Sequence, residues 1–342
     1  MYKFKAIDEK SEEWNEILKT SFAYDFYHTA FYHRLEEEGT GVLLHASDEL
    51  NFIALPLIIR KIEATNFTDA TSVYGYCGPI TSQNIEDVDV NLLGYFQNEI
   101  TKYFTSNNII AAFSRLHPLI EQKSLFNNFG EVLELNKTVS IDLTLPIEIQ
   151  RRTFRKSLKS DLNQLRRKGY TCVVANSKEE IDEFIDIYYE TMDRVEATPN
   201  YYFSKEYFHN FLSNKEFSNK LILAKKDGII TAGAIFTISG NIMQYHLAGT
   251  KSEYGRDTPM KLILDEARLI GTEMELTDFH LGGGVGGHDD DSLFHFKSGF
   301  SKNFKQFSIW RKTFNQEVYD KLVQEKGLEN SDSGFFPLYR LK

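Results

Sequence analysis

Residues 281–300, LGGGVGGHDDDSLFHFKSGF, constrain this chain more than any other stretch. Five glycines fall within residues 282–287, three aspartates follow at 289–291, and Phe296–Lys297 lies near the end of the run. Glycine takes positive φ and lets the backbone come close to a ligand, but it weakens helices and strands. Five together describe a shaped loop between two regular elements. Alternation over residues 276–281 predicts a short strand ahead of the loop, and Ser292 onward can start a helical turn. A strand that delivers a glycine turn and then an aromatic–basic pair is the kind of place where function gathers.

Several chemistries fail on these residues. Gly282-x-Gly284-x-x-Gly287 satisfies the dinucleotide fingerprint and follows a strand. Asp289, Asp290 and Asp291 come directly after it and repel a pyrophosphate, and no acid stands where a ribose partner belongs in a following βαβ unit. His280, His288, His295 and the aspartates lack the fixed spacing of a zinc or calcium motif, so no metal is expected. Neither Ser292 nor Ser298 stands in a G-x-S-x-G setting.

At 342 residues the chain calls for two domains of roughly 150–200 residues each. A hydrophobic share of 42% with 26% charged residues is that of a soluble globular protein. Cys77 and Cys172 have no redox or metal spacing, and the N-terminus lacks the apolar run of a signal peptide, so a cytoplasmic location is expected. No stretch approaches the roughly 20 apolar residues of a membrane helix. The net charge of −10 argues against indiscriminate nucleic-acid binding. Against that background, residues 151–168 hold eight Lys/Arg and the single acid Asp161. Phe154, Leu158, Leu162 and Leu165 form a stripe at helical spacing, with Arg152, Arg155, Lys156 and Lys159 on a neighbouring face. That face is either merely solvated or a landing surface for an anion, and its concentration in an acidic chain favours the second reading.

The pattern elsewhere is strands interleaved with helices, an α/β chain. Helices are predicted over residues 11–18, 29–38, 87–105, 150–168, 178–195, 205–212, 258–271 and 316–326. Thr258 is placed as an N-cap, with Pro259 at the first helical position. Strands are predicted over 1–6, 41–46, 51–62, 109–114, 170–174, 221–225, 229–239, 242–247, 273–281 and 306–312. Two more, 132–135 and 138–143, are predicted to pair around Asn136–Lys137, and Pro56 is predicted to mark an edge or a bulge. Tyr74 and Tyr76 fall in a turn-rich stretch, 72–80, and the strand at 109–114 delivers Arg115 and His117.

The run HLGGGVGGHDDDSLFHFKSGFSKNF resembles the closing signature of the Fem family of aminoacyltransferases and of their relatives in the GNAT-like superfamily. Phe296, Lys297, Gly299 and Phe300 match its Phe-Lys-x-Gly-Phe element. YGYCGP, FSRLHP at 113–118, the basic helix, Arg194 followed by Tyr201–Tyr202, and Tyr245 ahead of the Pro-started helix support the likeness. The resemblance implies an α/β fold of the α+β type: two GNAT-like domains on mixed sheets with a cleft between them. It divides the chain into 1–148 plus 318–342, and 149–317.

It also implies transfer of an activated acyl group to an amine. The donor is aminoacyl-tRNA in characterised members, and the acceptor a peptidoglycan precursor, amino sugar or surface-polysaccharide precursor. No tightly bound cofactor is implied. Such a reaction needs a neutral amine within about 3–3.5 Å of the carbonyl and donors for the oxyanion. Lys297 is the candidate donor, with Phe296 beside it as a wall or stacking ring. Arg194, Tyr201, Tyr202, Tyr245, Tyr74, Tyr76, Arg115, His117, Gly283 and Gly284 are candidates for binding substrate. Arg152, Arg155, Lys156 and Lys159 offer a surface for tRNA.

No general base stands out among His117, His246, Asp289 and Asp291. Acyl-CoA is the alternative donor. The helix start at 255–260 is poorly suited to cradling its pyrophosphate, because Pro259 has no N–H and Asp257 is repulsive. One departure concerns the acceptor: the segment FYHRLEEEG offers Arg34, followed by acids, where the family places a lysine. A catalytically idle protein that binds a nucleotide-sugar or an RNA end is the third reading.

Overall fold

Runs rich in β-branched and aromatic residues form the strands, and helices interleave with them. A computed structural model describes residues 1–284 and 291–341. The first half supplies β1 (Lys3–Asp8), β2 (Thr40–Ser47), β3 (Phe52–Lys61), β4 (Thr68–Thr71), β5 (Ile80–Thr81), β6 (Ile109–Arg115) and β7 (Glu131–Asp142). The second supplies β8 (Thr171–Val174), β9 (Ser218–Lys226), β10 (Ile229–Ser239), β11 (Ile242–Thr250), β12 (Asp278–Gly282) and β13 (Asn303–Thr313). The helices are α1 (Glu12–Lys19), α2 (Ala30–His33), α3 (Val90–Ser106), α4 (Ile147–Arg152) and α5 (Lys156–Arg167). They continue with α6 (Lys178–Arg194), α7 (Lys205–Ser213), α8 (Met260–Glu273), α9 (Ser292–Lys297) and α10 (Gln316–Glu325).

The chain divides into two units, Met1–Leu135 with Gln306–Lys342, and Asn136–Lys305. Their strand orders are the same. The first runs β1-β2-β3-β4-β6-β13 and the second β8-β9-β10-β11-β12-β7. In each, four antiparallel strands lead through one helix to a parallel fifth: α3 joins β4 to β6, and α8 joins β11 to β12. The sixth strand is exchanged. β7 follows β6 in sequence but pairs antiparallel with β12, and β13 follows β12 but pairs antiparallel with β6.

Each crossover helix shows why it forms. Asp89 caps α3 by accepting from the Asn91 amide, and Leu92, Phe96, Ile100 and Phe104 bury one face at a four-residue step. These residues belong to the core of the first unit with Leu55, Leu57 and Trp310. The chain's last residues return to the same unit: Tyr339 and Arg340 both bond Asp69, a fully buried carboxylate that Arg60 also grips. In the second unit α8 is buried nearly all round, from Met260 through Gly271. It carries an ion pair into the interior, where the Arg268 guanidinium meets Asp265 Oδ1 at 2.8 Å and Gln150 Oε1 at 2.9 Å.

Several sequence expectations give way to tertiary structure. The helix expected over 29–38 is the single turn of α2, because three acids, Glu36–Glu38, oppose the negative end of a helix dipole. The expected 150–168 helix breaks between α4 and α5 where Phe154 buries its ring and the Arg155 amide bonds Gly299 O at 2.8 Å. Asn136–Lys137 does not turn, and β7 runs straight through it. Thr258 adopts left-handed φ +56 and caps nothing with its side chain, so Pro259 takes the N-cap place of α8. Pro56 lies neither on an edge strand nor at a bulge. It sits between the stretches of β3 that pair with β5 and with β4, where a missing N–H costs no ladder bond on that side.

Candidate active site

The second unit's parallel pairing is short. β11 and β12 are matched only from Ile242↔Asp278 to Gln244↔His280. β11 then continues to Thr250 along β10, with His246 as the extra residue of a bulge. β12 turns away at Gly282, whose φ of +76 favours glycine. The two strands therefore part at their carboxyl ends, where open α/β sheets place ligands. A buried polar line marks the point of parting. His280 Nδ1–H donates to Gln244 Oε1 at 2.6 Å, and Thr138 Oγ1 donates to His280 Nε2 at 2.8 Å.

Lys297 projects from α9 to this place. Its Nζ donates to Gly283 O at 2.7 Å and lies 5.6 Å from the centre of the Tyr245 ring. Lys297 is only 7% exposed. Burial brings its pKa down to about 7, against a smaller opposing pull from Asp291. Six residues make too short a helix to stand alone, and α9 is held at both ends. Asp291 accepts from the Phe294 amide at 2.8 Å. At the other end Arg155 forks onto the His295 ring, His295 O at 3.0 Å and Ser298 Oγ at 3.2 Å. A cation on these terminal carbonyls suits the helix dipole. Phe300 packs edge-on against Phe154, and Phe296 against Phe300. At Gly284 a Cβ would strike the Asp291 carboxylate.

Residues 152–308 match the family described as acetyltransferase (GNAT) domain. The second unit is a GNAT acyltransferase domain. Among solved structures, one of FemX aligns over 93% of this chain and 99% of its own at 12% identity, with a TM-score of 0.72. L-PGS from Bacillus licheniformis aligns over 94% of this chain and 97% of its own at 15% identity, with a TM-score of 0.59. A conserved protein of unknown function from Bacteroides thetaiotaomicron covers 91% and 100% at 10% identity, with a TM-score of 0.59. At these identities the likeness is one of fold. No curated protein sequence matches the chain.

Within the GNAT domain the other expected residues are distributed unevenly. Tyr245 joins Lys297, and its ring stacks on Phe236. Gly283 lends its carbonyl. Arg194 instead ties the end of α6 to the loop after β11, donating to Thr250 O and Ser252 Oγ at 2.9 Å each. Tyr202 donates to Asp193 at 2.8 Å, and Tyr201 accepts from Tyr188 through its carbonyl. His246 stacks on Phe211 and burial takes its pKa down to about 3, so it stays neutral. His288, Asp289 and Asp290 lie outside the described residues.

The basic segment is smaller in effect than its count. Arg155 holds α9, Arg151 and Arg166 face Asp265, Lys168 pairs with Asp257, and Lys159 bonds Arg152 O. The side chains of Arg152, Lys156 and Arg167 are exposed and make no hydrogen bond or ion pair among the described residues.

In the first unit Tyr74 is 57% exposed, and the Arg115 guanidinium lies over the Tyr74 and Phe113 rings. Tyr76 packs edge-on against Tyr27, His117 and Phe307. His117 has both ring nitrogens engaged, Nε2 with Asp25 at 3.1 Å and Nδ1 with the Leu119 amide at 3.2 Å. That is the arrangement of an anchor, not of a base waiting for a proton. Its partner Asp25, and the Thr138–His280–Gln244 line of the GNAT domain, were missed because each is made by residues far apart in sequence.

Proposed function

We propose that this acyltransferase moves an aminoacyl group from aminoacyl-tRNA to an amine of a peptidoglycan precursor, amino sugar or surface-polysaccharide precursor, working in the cytoplasm. The observation that carries the reading is Lys297, a buried ammonium where β11 and β12 part. The acceptor nitrogen attacks the ester carbonyl, the bond to the ribose oxygen breaks, and the proton shed by nitrogen ends on that oxygen. Charge develops on the carbonyl oxygen, and a positively charged donor in a desolvated site stabilises it strongly. Gly283 O holds the ammonium in place. The acceptor amine carries its own proton problem, and no side chain is assigned to it.

Acyl-CoA is the second reading, favoured by the description of the matching family. The start of α8 speaks against it. Pro259 has no N–H, the Lys261 amide is already bonded to Thr258 O, and Asp257 stands just ahead. Equilibrium binding separates the two: charged tRNA is expected to bind, and micromolar CoA affinity without tRNA binding would overturn the proposal.

The pH dependence has a definite sign. Lys297 is cationic below about pH 7 and neutral above it. An oxyanion donor must carry the proton, so turnover is expected to fall about tenfold per unit once pH rises well past that value. A pH–rate profile flat to pH 9 would remove the ammonium from the mechanism. For tRNA, the expected contacts are Arg152, Lys156 and Arg167. Neutralising all three should flatten the dependence of log affinity on log salt by roughly 2–3. An unchanged slope would take this face out of the tRNA site.

A further inference from the structure

We propose that Lys297 is itself an acylation site: when an activated acyl ester or thioester lies where β11 and β12 part and no acceptor amine is present, the lysine takes the acyl group. This goes beyond the proposed transfer and holds whichever donor the enzyme uses.

The surroundings of Nζ carry the argument. An ammonium has three donors, and among the described residues this one has a single acceptor, Gly283 O. The Tyr245 ring lies on another side, and burial holds that phenol well above its ordinary range, so it brings no negative charge. Among the described residues Asp291 is the acid whose charge reaches Lys297, and its side chain is already bonded to the Phe294 amide as the cap of α9. Arg155 and His295 engage each other at the end of α9. A desolvated lysine whose described surroundings offer one carbonyl and a neutral ring gives up its proton readily, and the free amine is the nucleophile. The two thiols do not compete, because burial pushes Cys172 up to about 12 and Cys77 higher still.

The step balances without any further reagent. The Nζ lone pair attacks the carbonyl carbon and a C–N bond forms. The bond from that carbon to the ester oxygen or thioester sulfur breaks, and the leaving group takes the proton that nitrogen sheds. The product is a neutral amide. It no longer supplies a cation for an oxyanion, so acylation switches the site off when acceptor runs short.

The test uses p-nitrophenyl acetate on the full protein, with peptide mass mapping to locate the acetyl groups. At pH 7, Lys297 is expected to be acetylated at least tenfold faster than surface lysines such as Lys156. Its rate should level off above about pH 7, and the advantage should vanish in urea. Asp291→Asn keeps a capping side chain but removes the charge that favours the ammonium, so the midpoint should move to lower pH. The proposal is overturned if Lys297 reacts no faster than surface lysines at pH 7, if its rate still climbs through pH 9, or if the midpoint ignores Asp291→Asn. The probe involves neither tRNA nor acceptor, so failure here leaves the transfer reaction standing, and loss of tRNA binding leaves this result untouched.

Discussion

Lys297→Ala is expected to lower turnover by roughly 10²–10³-fold with little change in KM, the loss that follows removal of one oxyanion donor. Among the described residues the lysine bonds only Gly283 O, so its other N–H groups remain for charge that appears during reaction. A group used only in the transition state shows in kcat more than in KM. The alanine also leaves a gap in a packed place, because the lysine stem is buried. Lys297→Met separates the two effects. It keeps the stem's volume and removes a desolvated charge, so it should melt no lower than the parent while turnover falls as far as in the alanine variant. Steady-state rates with charged tRNA and an amine acceptor, beside thermal melts, measure both. Full turnover in the methionine variant would sink the assigned role. Unchanged ligand binding in a chain that never turns over would favour the idle binding protein instead.

Asp265→Ala is expected to cost about 3–5 kcal/mol of stability, because it leaves the Arg268 guanidinium buried without its counter-charge. Arg268 is 1% exposed and Asp265 is fully buried. Removing Asp265 takes away the 2.8 Å bond to Arg268 and the 2.7 Å bond from Arg166 together, while Gln150 and the Phe154 ring remain beside Arg268 as neutral partners. For a unit of this size the loss corresponds to a fall in Tm of about 10 °C. Replacing both members, Asp265→Leu with Arg268→Met, should recover most of it, since the cost lies in the orphaned charge and not in the missing pair. A drop of under 3 °C in the single variant would contradict this account.

The sequence made part of this legible for physical reasons. Leu92, Phe96 and Ile100 announce α3, and Phe184, Ile185 and Tyr188 announce α6, because helix burial is periodic and local. Phe296–Lys297 stood out because its glycine approach is rare in ordinary structure. What stayed hidden is non-local. Nothing near Arg155 says that its guanidinium will be spent on His295 and Ser298, 140 and 143 residues on, so counting charges overstated the basic face. Nothing near Asn136–Lys137 says that β12 will pair with the end of β7 and hold it straight. Thr258 and Pro259 form a strong local start signal, yet the left-handed turn at Thr258 shifts the cap by one residue.

The exchanged sixth strands also fix the order in which a ribosome can deliver a finished unit. Residues 1–135 emerge first, but β6 waits for β13, and Asp69 waits for Arg340. β7 is already made when β12 appears, so the GNAT domain can close while the first unit still lacks its last strand. During that interval the β6 edge, Ile109–Arg115, is a template open to any passing strand. The nascent chain is open to aggregation through β6 until β13 (Asn303–Thr313) has left the exit tunnel and covered it.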